Sequence, residues 1–267
     1  MDFSEINTRG IVLVGCGRMG GAMLKGWLKN GIAPEAVTVI DPHAAAEWAN
    51  KGIRLNEEAP ENPAVLVLAV KPQMMAQVLN DLSATDGTLI LSVAAGVTLS
   101  TYERAFGGAA IVRAMPNTPA AIGQGITAIV GNEEAGKGSL DVAERLLSVV
   151  GQVVRLEDET QMDAVTAVSG SGPAYVFHLI ECLTRAGEEQ GLSSDLSLQL
   201  AKATVAGAGA LAIVEDVPPA ALREAVTSPN GTTAAGLAQL MDSETGLAPL
   251  IGRTVAAAAD RSRELGQ

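Results

Sequence analysis

The chain has 267 residues, enough for one or two domains, and a formal net charge of −12, which argues against nucleic acid or an anionic membrane as a partner. It is 48% hydrophobic and 18% charged, which excludes wholesale disorder, and with 3% aromatics its core must be aliphatic. Two cysteines, Cys16 and Cys182, cannot build a secreted disulfide framework and suit a reducing, cytoplasmic setting. Met1–Arg9 is polar and does not read as a signal peptide. The apolar runs Ala64–Val70 and Ala203–Val214 are too short to span a bilayer.

Taken in chain order, the first half alternates short aliphatic runs with helix-like segments. Strands are expected at Ile11–Gly15, Val37–Asp41, Val65–Val70, Leu89–Val93 and Ala110–Ala114, with helices at Gly20–Lys29, Ala44–Lys51, Gln73–Leu82 and Ser100–Phe106. Continuous rather than alternating hydrophobicity indicates strands covered on both faces. The alternation of strand and helix indicates a parallel, doubly wound α/β sheet. Strands at Ile126–Val130 and Val153–Leu156 extend it, with a helix at Leu140–Val150.

Beyond Glu159 the strands stop, and residues 1–159 and 160–267 read as two domains. Helices are expected at Gln161–Val168, Ala174–Gln190, Asp195–Glu215, Pro219–Thr227, Thr232–Met241 and Leu247–Leu265, punctuated by Gly191, Pro218, Gly231 and Gly246. Residues 201–214 are small or apolar almost all round, the pattern of a buried helix. A domain this small has little to cover it with, so a homodimer through the C-terminal half is expected; a compact monomeric bundle is the alternative.

The first chemical motif is Gly15-Cys16-Gly17-Arg18-Met19-Gly20, which follows a strand and opens a helix. Gly15 permits the turn, Gly17 admits a pyrophosphate to the backbone, and Gly20 allows close packing of helix on strand. The helix N-terminus presents free N–H groups and the positive end of its dipole. Asp41 ends the second strand about 20 residues on, where an acid meets the adenine ribose. Its charge favours NADH over NADPH, a preference that Arg18 and His43 would soften. Cys16 reads as a small filler in this loop.

Ligands bind at the C-terminal ends of parallel strands. Three segments leave such ends: Val70-Lys71-Pro72, Ala94-Ala95-Gly96, and Met115-Pro116-Asn117. They are expected to surround a nicotinamide. Lys71 reads equally as a ribose or substrate contact and as a solvated charge, and Arg113 as half of a structural ion pair.

In the second half, Thr227-Ser228-Pro229-Asn230-Gly231-Thr232-Thr233 makes a sharp entry into a helix. The N–H groups of Gly231, Thr232 and Thr233 suit a carboxylate, and the Thr233 hydroxyl lies beside it; an ordinary helix cap is the bland alternative. The turn at Ser169–Tyr175 opens another helix, with Pro173 at its start. Two histidines, His43 and His178, support neither a histidine triad nor a metal centre, and His178 reads as a packed or interface residue.

In this order, the glycine motif, Ala69–Pro72, Ala94–Thr98, Arg113–Pro119, Val168–Tyr175 and Thr227–Thr233 resemble the pyrroline-5-carboxylate reductase family over nearly the whole chain. The resemblance implies an N-terminal Rossmann-type domain and an all-α C-terminal dimerisation domain. It implies reduction of the cyclic imine 1-pyrroline-5-carboxylate to L-proline by hydride from NADPH or NADH, with Thr233 as the catalytic residue holding the ring nitrogen. The chain departs from the family at Asn230, where a second glycine is common; asparagine tolerates left-handed backbone, so the loop is expected to persist. Two rivals remain. A 3-hydroxyacid dehydrogenase needs a lysine on the helix after Gly172, and none is present up to Gln190. A non-catalytic nucleotide sensor would have no reason to keep the Ser228–Thr233 turn.

Overall fold

The computed structural model describes residues 3–82 and 87–266. The chain forms two compact units, one of Met1–Gly170 with Ala259–Gln267, the other of Ser171–Ala258. The expected domains meet at 159/160; the second compact unit begins later, and the last turns of the chain cluster with the first.

The first unit begins with α1 (Ser4–Arg9), a short helix within the segment read only as polar; Met1 and Asp2 lie outside the described residues. Then follow β1 (Ile11–Val14), α2 (Arg18–Lys29), β2 (Val37–Ile40), β3 (Arg54–Leu55), β4 (Val65–Leu68), α3 (Pro72–Asp81), β5 (Leu89–Ser92) and α4 (Leu99–Phe106). After these come β6 (Ile111–Met115), β7 (Gly125–Gly131), α5 (Lys137–Leu147), β8 (Gly151–Arg155) and α6 (Met162–Val165). Among the described residues the strands form an eight-stranded sheet ordered β3-β2-β1-β4-β5-β6-β7-β8. The predicted strands are all present, most of them a residue or two shorter at the C-terminal end.

Three expectations are corrected, and one strand, β3, is added. The sheet is not wholly parallel, because β7 runs antiparallel to β6. A parallel return needs a crossover of a dozen residues or more, and only a short 3-10 turn, Thr118–Ile122, joins these strands. The helix expected at Ala44–Lys51 is a run of 3-10 turns over Ala46–Lys51, ended by Gly52 at φ 87°. The two-residue β3 is too short to leave a hydrophobic period. Finally, Gln161–Val168 divides into α6 and a π-helical turn over Thr166–Gly170.

Alternate side chains explain the continuous apolar runs. Ile11, Leu13, Val37, Val39, Val65 and Val67 face one side, with Met23, Leu24 and Trp27 of α2 and Leu146 and Leu147 of α5. Val12, Val14, Leu66, Leu68 and Ile90 face the other, with Met75 of α3, Leu99, Tyr102 and Phe106 of α4, and Met162. Each fully buried aliphatic side chain contributes about 1.5–3 kcal/mol. Trp27 is completely buried, and its indole N–H donates to the Leu146 carbonyl at 2.8 Å. Arg113 pairs with Glu159 at 2.5 Å, the structural ion pair expected for it.

The second unit is helical: α7 (Gly172–Glu189), α8 (Ser194–Val214), α9 (Pro219–Ala225), α10 (Thr232–Leu240) and most of α11 (Leu247–Leu265). The Ser193 side chain caps α8 by accepting the Leu196 N–H. α8 is the all-round apolar helix, and of its residues only Ser197 and Ala201 are buried. Phe177, Leu179 and Leu183 of α7, Leu200, Leu211 and Ile213 of α8, and Leu250 of α11 stand exposed. As a 21-residue helix α8 is long and apolar enough to cross a membrane, which the shorter run Ala203–Val214 did not indicate.

Candidate active site

The order of the strands prepares a crevice. From β1 the chain passes to β2 and β3 on one side, then returns to β4 on the other. This reversal is the topological switch point where ligands bind in doubly wound sheets. The loops after β1, β4, β5 and β6 leave the same edge because these four strands are parallel. They carry Gly15–Gly20, Val70–Pro72, Ala94–Gly96 and Pro116–Asn117, so the structure brings the sequence-predicted cofactor segments together.

Each glycine of the first loop has a distinct reason. Gly15 has φ 92°, and a Cβ there would meet the Ala69 carbonyl oxygen at 2.7 Å. A Cβ on Gly20 would fall 2.2 Å from the Gly15 carbonyl oxygen. Around Gly17 a Cβ would meet nothing within 4 Å. The first two are therefore demanded by the protein's own packing, whereas the third leaves open space at the cap of α2. The N–H groups of Arg18, Met19 and Gly20 begin that helix without intrahelical partners. Open backbone and unpaired amides at one helix start fit a dinucleotide pyrophosphate.

Asp41 is tied to this loop. Its Oδ2 accepts the Cys16 N–H at 2.6 Å and its Oδ1 the His43 N–H at 2.8 Å. Cys16 is half-buried, and burial, reinforced by Asp41, pushes its thiol up to about 11 despite an opposing influence from Lys25. It is protonated at neutral pH, in keeping with a filler. Lys71 caps α3 with Pro72 in the first turn, and its side chain is exposed.

The other loops are braced from below. Ser92 Oγ lies 2.5 Å from the Tyr102 hydroxyl and accepts the Ala94 N–H at 3.2 Å, fixing the start of the Ala94–Gly96 turn. Burial pushes the Tyr102 phenol up to about 12. Glu159 accepts the Leu99 N–H at the start of α4 while paired with Arg113. Gly96 has φ 74° and sits against Leu265, near the end of α11. Asn117, expected at the cofactor, has its side chain engaged: Oδ1 accepts the Ile126 N–H and Nδ2 donates to Ser169. It holds the loop that carries Met115 and Pro116. Asn56, which follows β3, also braces the site: its Oδ1 accepts the Asp41 N–H at 2.9 Å and its Nδ2 donates to the Asp41 carbonyl at 3.0 Å, a carbonyl that also accepts the Ala44 N–H. Asn56, Tyr102, Glu159 and Ser169 are thus contributors beyond the expected residues. Only Ser169, beside glycines in a turn already noted, left a local signal.

In the second unit, Ser228-Pro229-Asn230-Gly231 forms a tight turn. The Gly231 N–H donates to the Ser228 carbonyl at 3.0 Å, and Asn230 has φ 60°. The left-handed third residue after proline is the type II pattern. Asparagine thus takes the left-handed position, as expected of it. A Cβ on Gly231 would meet Ser228 Oγ at 2.3 Å, so a larger residue there would turn the Ser228 hydroxyl out of its place. Because the Gly231 N–H is spent inside the turn, it is not offered to a ligand as the sequence reading supposed. The amides of Thr232 and Thr233 open α10, whose cap has no side-chain hydrogen bond, and both residues are exposed.

Comparison with known proteins bears on the same segments. The family described as pyrroline-5-carboxylate reductase dimerisation matches residues 159–265, and that described as NADP oxidoreductase coenzyme F420-dependent matches residues 10–96. The pyrroline-5-carboxylate reductase of Pseudomonas aeruginosa is 38% identical over 98% of this chain and 98% of its own. That of Synechocystis sp. is 42% identical over 88% of this chain and 90% of its own. Among solved structures, a pyrroline-5-carboxylate reductase from Coxiella burnetii superposes with a TM-score of 0.87 at 33% identity, covering 97% of this chain and 99% of the other. A Plasmodium falciparum pyrroline carboxylate reductase with NADP bound gives 0.84 at 27% identity, covering 98% and 99%. With an open glycine loop at the switch point, an unpaired helix start after Gly231 and full-length relatives at this identity, the chain belongs to the pyrroline-5-carboxylate reductase family.

Proposed function

We propose that the chain reduces 1-pyrroline-5-carboxylate to L-proline, the last step of proline biosynthesis, using NADPH or NADH. The observation that carries the reading is the start of α10, where a type II turn leaves the Thr232 and Thr233 amides without partners. In this reading the substrate carboxylate accepts hydrogen bonds from those two amides, and the Ser228 hydroxyl borders the turn. The Thr233 hydroxyl holds the ring nitrogen and so fixes which face of the imine is presented.

Gly17, the amides of Arg18, Met19 and Gly20, and Asp41 would hold the dinucleotide at its pyrophosphate and ribose. Val70–Pro72, Ala94–Gly96 and Met115–Asn117 would line the nicotinamide. The bound cofactor supplies the hydride that reduces the C=N carbon. The residues contribute alignment and exclusion of water. A protonated iminium is already electrophilic, so no histidine acid is needed.

The chain acts as a homodimer or a higher homo-oligomer. The exposed side chains of α8 fit a second copy better than lipid, because Asp195, Gln199 and Lys202 lie along the helix and the matching family is one of dimerisation. A cytoplasmic location accords with two free thiols. No nucleic acid or membrane partner is proposed for a chain of charge −12.

The test is oxidation of NADPH and of NADH with pyrroline-5-carboxylate, followed by 3-hydroxyacids in the reverse direction. Turnover of the imine alone is expected. Turnover of a hydroxyacid, or of neither, would overturn the assignment.

A further inference from the structure

The last turns of α11 belong to the first unit, and Ala259 and Ser262 are the buried residues of that helix. They lie three residues apart, on one face. Ser262 is 6% exposed, and its hydroxyl donates to Asp163 Oδ1 of α6 at 2.6 Å, across 99 residues of sequence. Among the described residues this is the one hydrogen bond from residues 259–266 to another element. The charged groups of these turns pair with each other, Arg261 with Glu264 and Arg263 with Asp260, in exposed bridges that add little hold.

The bond seats these turns beside Gly96. A Cβ on Gly96 would meet Leu265 Cβ at 3.6 Å and the Leu265 carbonyl oxygen at 3.8 Å, and one on Gly266 would lie 3.7 Å from the Gly96 carbonyl oxygen. The Leu265 side chain is itself exposed, so packing of its far end does not hold the helix down. The Ala94–Gly96 loop thus stands between two supports. Ser92 accepts the Ala94 N–H at one end, and the helix end that Ser262 ties lies against the other.

α6 and the π-helical turn after it brace a second loop directly. Ser169 accepts from Asn117 Nδ2 at 3.3 Å, and a Cβ on Gly170 would strike Met115 Cε. Asp163 therefore sits on the segment that holds both loops: Met115–Asn117 by contact, and Ala94–Gly96 by way of α11. π-helical turns are rare and recur at functional sites.

We propose that Asp163 and Ser262 are positioning residues for hydride transfer. Their hydrogen bond fixes the loop against which the nicotinamide lies, and with it the alignment of that ring to the C=N carbon. They act through Gly96. The inference rests on the proposed reading of these loops, and both residues lie outside the segments that carry the family resemblance. Hydride transfer depends steeply on alignment, whereas dinucleotide affinity draws on the pyrophosphate site at the glycine loop. Freeing the helix end should therefore slow the chemical step and leave binding nearly intact.

The experiment compares the parent with Ser262→Ala, Asp163→Ala, the double variant and Ser262→Thr, which keeps the hydroxyl. Titration of cofactor fluorescence gives Kd, stoichiometry and the anisotropy of the bound nicotinamide. Rapid mixing with pyrroline-5-carboxylate gives the hydride-transfer rate in a single turnover. Ser262→Ala is expected to slow that rate about 10-fold, the scale of one lost oriented hydrogen bond. Its stoichiometry should be unchanged, its Kd within about 3-fold of the parent, and its anisotropy lower. Asp163→Ala should match it, the double variant should be no slower than either, and Ser262→Thr should restore the rate.

A Ser262→Ala variant with the parent's single-turnover rate overturns the inference. So does one that loses rate and binding sites in the same proportion, which partial unfolding would give, or a double variant whose effects multiply. A parent that does not reduce the imine overturns the substrate assignment instead. The inference then stands on a drop in anisotropy at unchanged Kd that Ser262→Thr reverses, and falls without it.

Discussion

Two helices of this chain make the central contrast. α2 is amphipathic, and its apolar stripe of Met23, Leu24 and Trp27 is buried on the sheet. α8 is apolar nearly all round, and only Ser197 and Ala201 are buried. The first unit closes two aliphatic layers over its sheet, whereas the second buries only Ser197, Ala201 and Gly246 among its described residues. Apolar composition alone therefore does not make a core; an apolar surface needs another to meet. In the first unit the sheet provides it. In the second, the proposed provider is another copy of the chain, which would tie the substrate turn to assembly.

The sharpest way to break this contrast is Leu211→Glu. Leu211 is 48% exposed in the single chain, so a carboxylate there costs an isolated subunit little. Buried between copies it would be an uncompensated charge, costing about 3–5 kcal/mol. Sedimentation should show assembly weakened at least 100-fold, with activity falling in parallel. An intact oligomer would mean that α8 faces something else.

A second pair of variants separates folding from binding within the first unit. Gly20→Ala drives a Cβ against the Gly15 carbonyl and should destabilise the chain by about 2–4 kcal/mol in denaturant titrations. Gly17→Ala meets no protein atom, so it should melt normally while cofactor binding falls about 10–100-fold through obstruction of the pyrophosphate. Equal effects on melting would remove the distinction drawn between these glycines.

In the second unit, Thr233→Ala should lower turnover about 10–100-fold, equivalent to one oriented hydrogen bond to the reacting ring. The KM for the cofactor should stay the same. Parent kinetics would take Thr233 out of the mechanism.

The smallest effect concerns alkaline stability of the first unit. Tyr102 keeps its proton in the folded chain up to about 12, whereas the unfolded chain releases it near the ordinary value of 10.0. The unfolded state then binds fewer protons, so stability falls as pH rises through that window. Tyr102→Phe should flatten this part of a melting-temperature profile; an unchanged slope would assign it to other groups.

The cofactor loop was legible because its requirements are local. A turn at φ 92° and a close packing each demand glycine, an open backbone leaves room beside them, and the three follow one another within six residues. The substrate turn was legible for the same reason, down to the left-handed Asn230. That the Gly231 amide is consumed by Ser228 is not legible in the sequence, because one backbone hydrogen bond leaves no mark on composition. Nor does the sequence assign work to Asn56 or Tyr102. Their partners lie 15 and 10 residues away, and only strand pairing and helix packing bring them together.

By itself, the order of residues determined the alternation of strand and helix, the glycine loop, the proline-led turn before α10, and a helix too apolar to stand in water. These follow from backbone sterics and hydrophobic period, which act within a few residues. Only the tertiary structure decided the reversal of β7, the fate of each amide at the two helix starts, and the clamp of Asn56 on Asp41. These depend on which distant groups meet, and hydrogen bonds are satisfied by whatever lies within about 3 Å in space, whatever its distance along the chain.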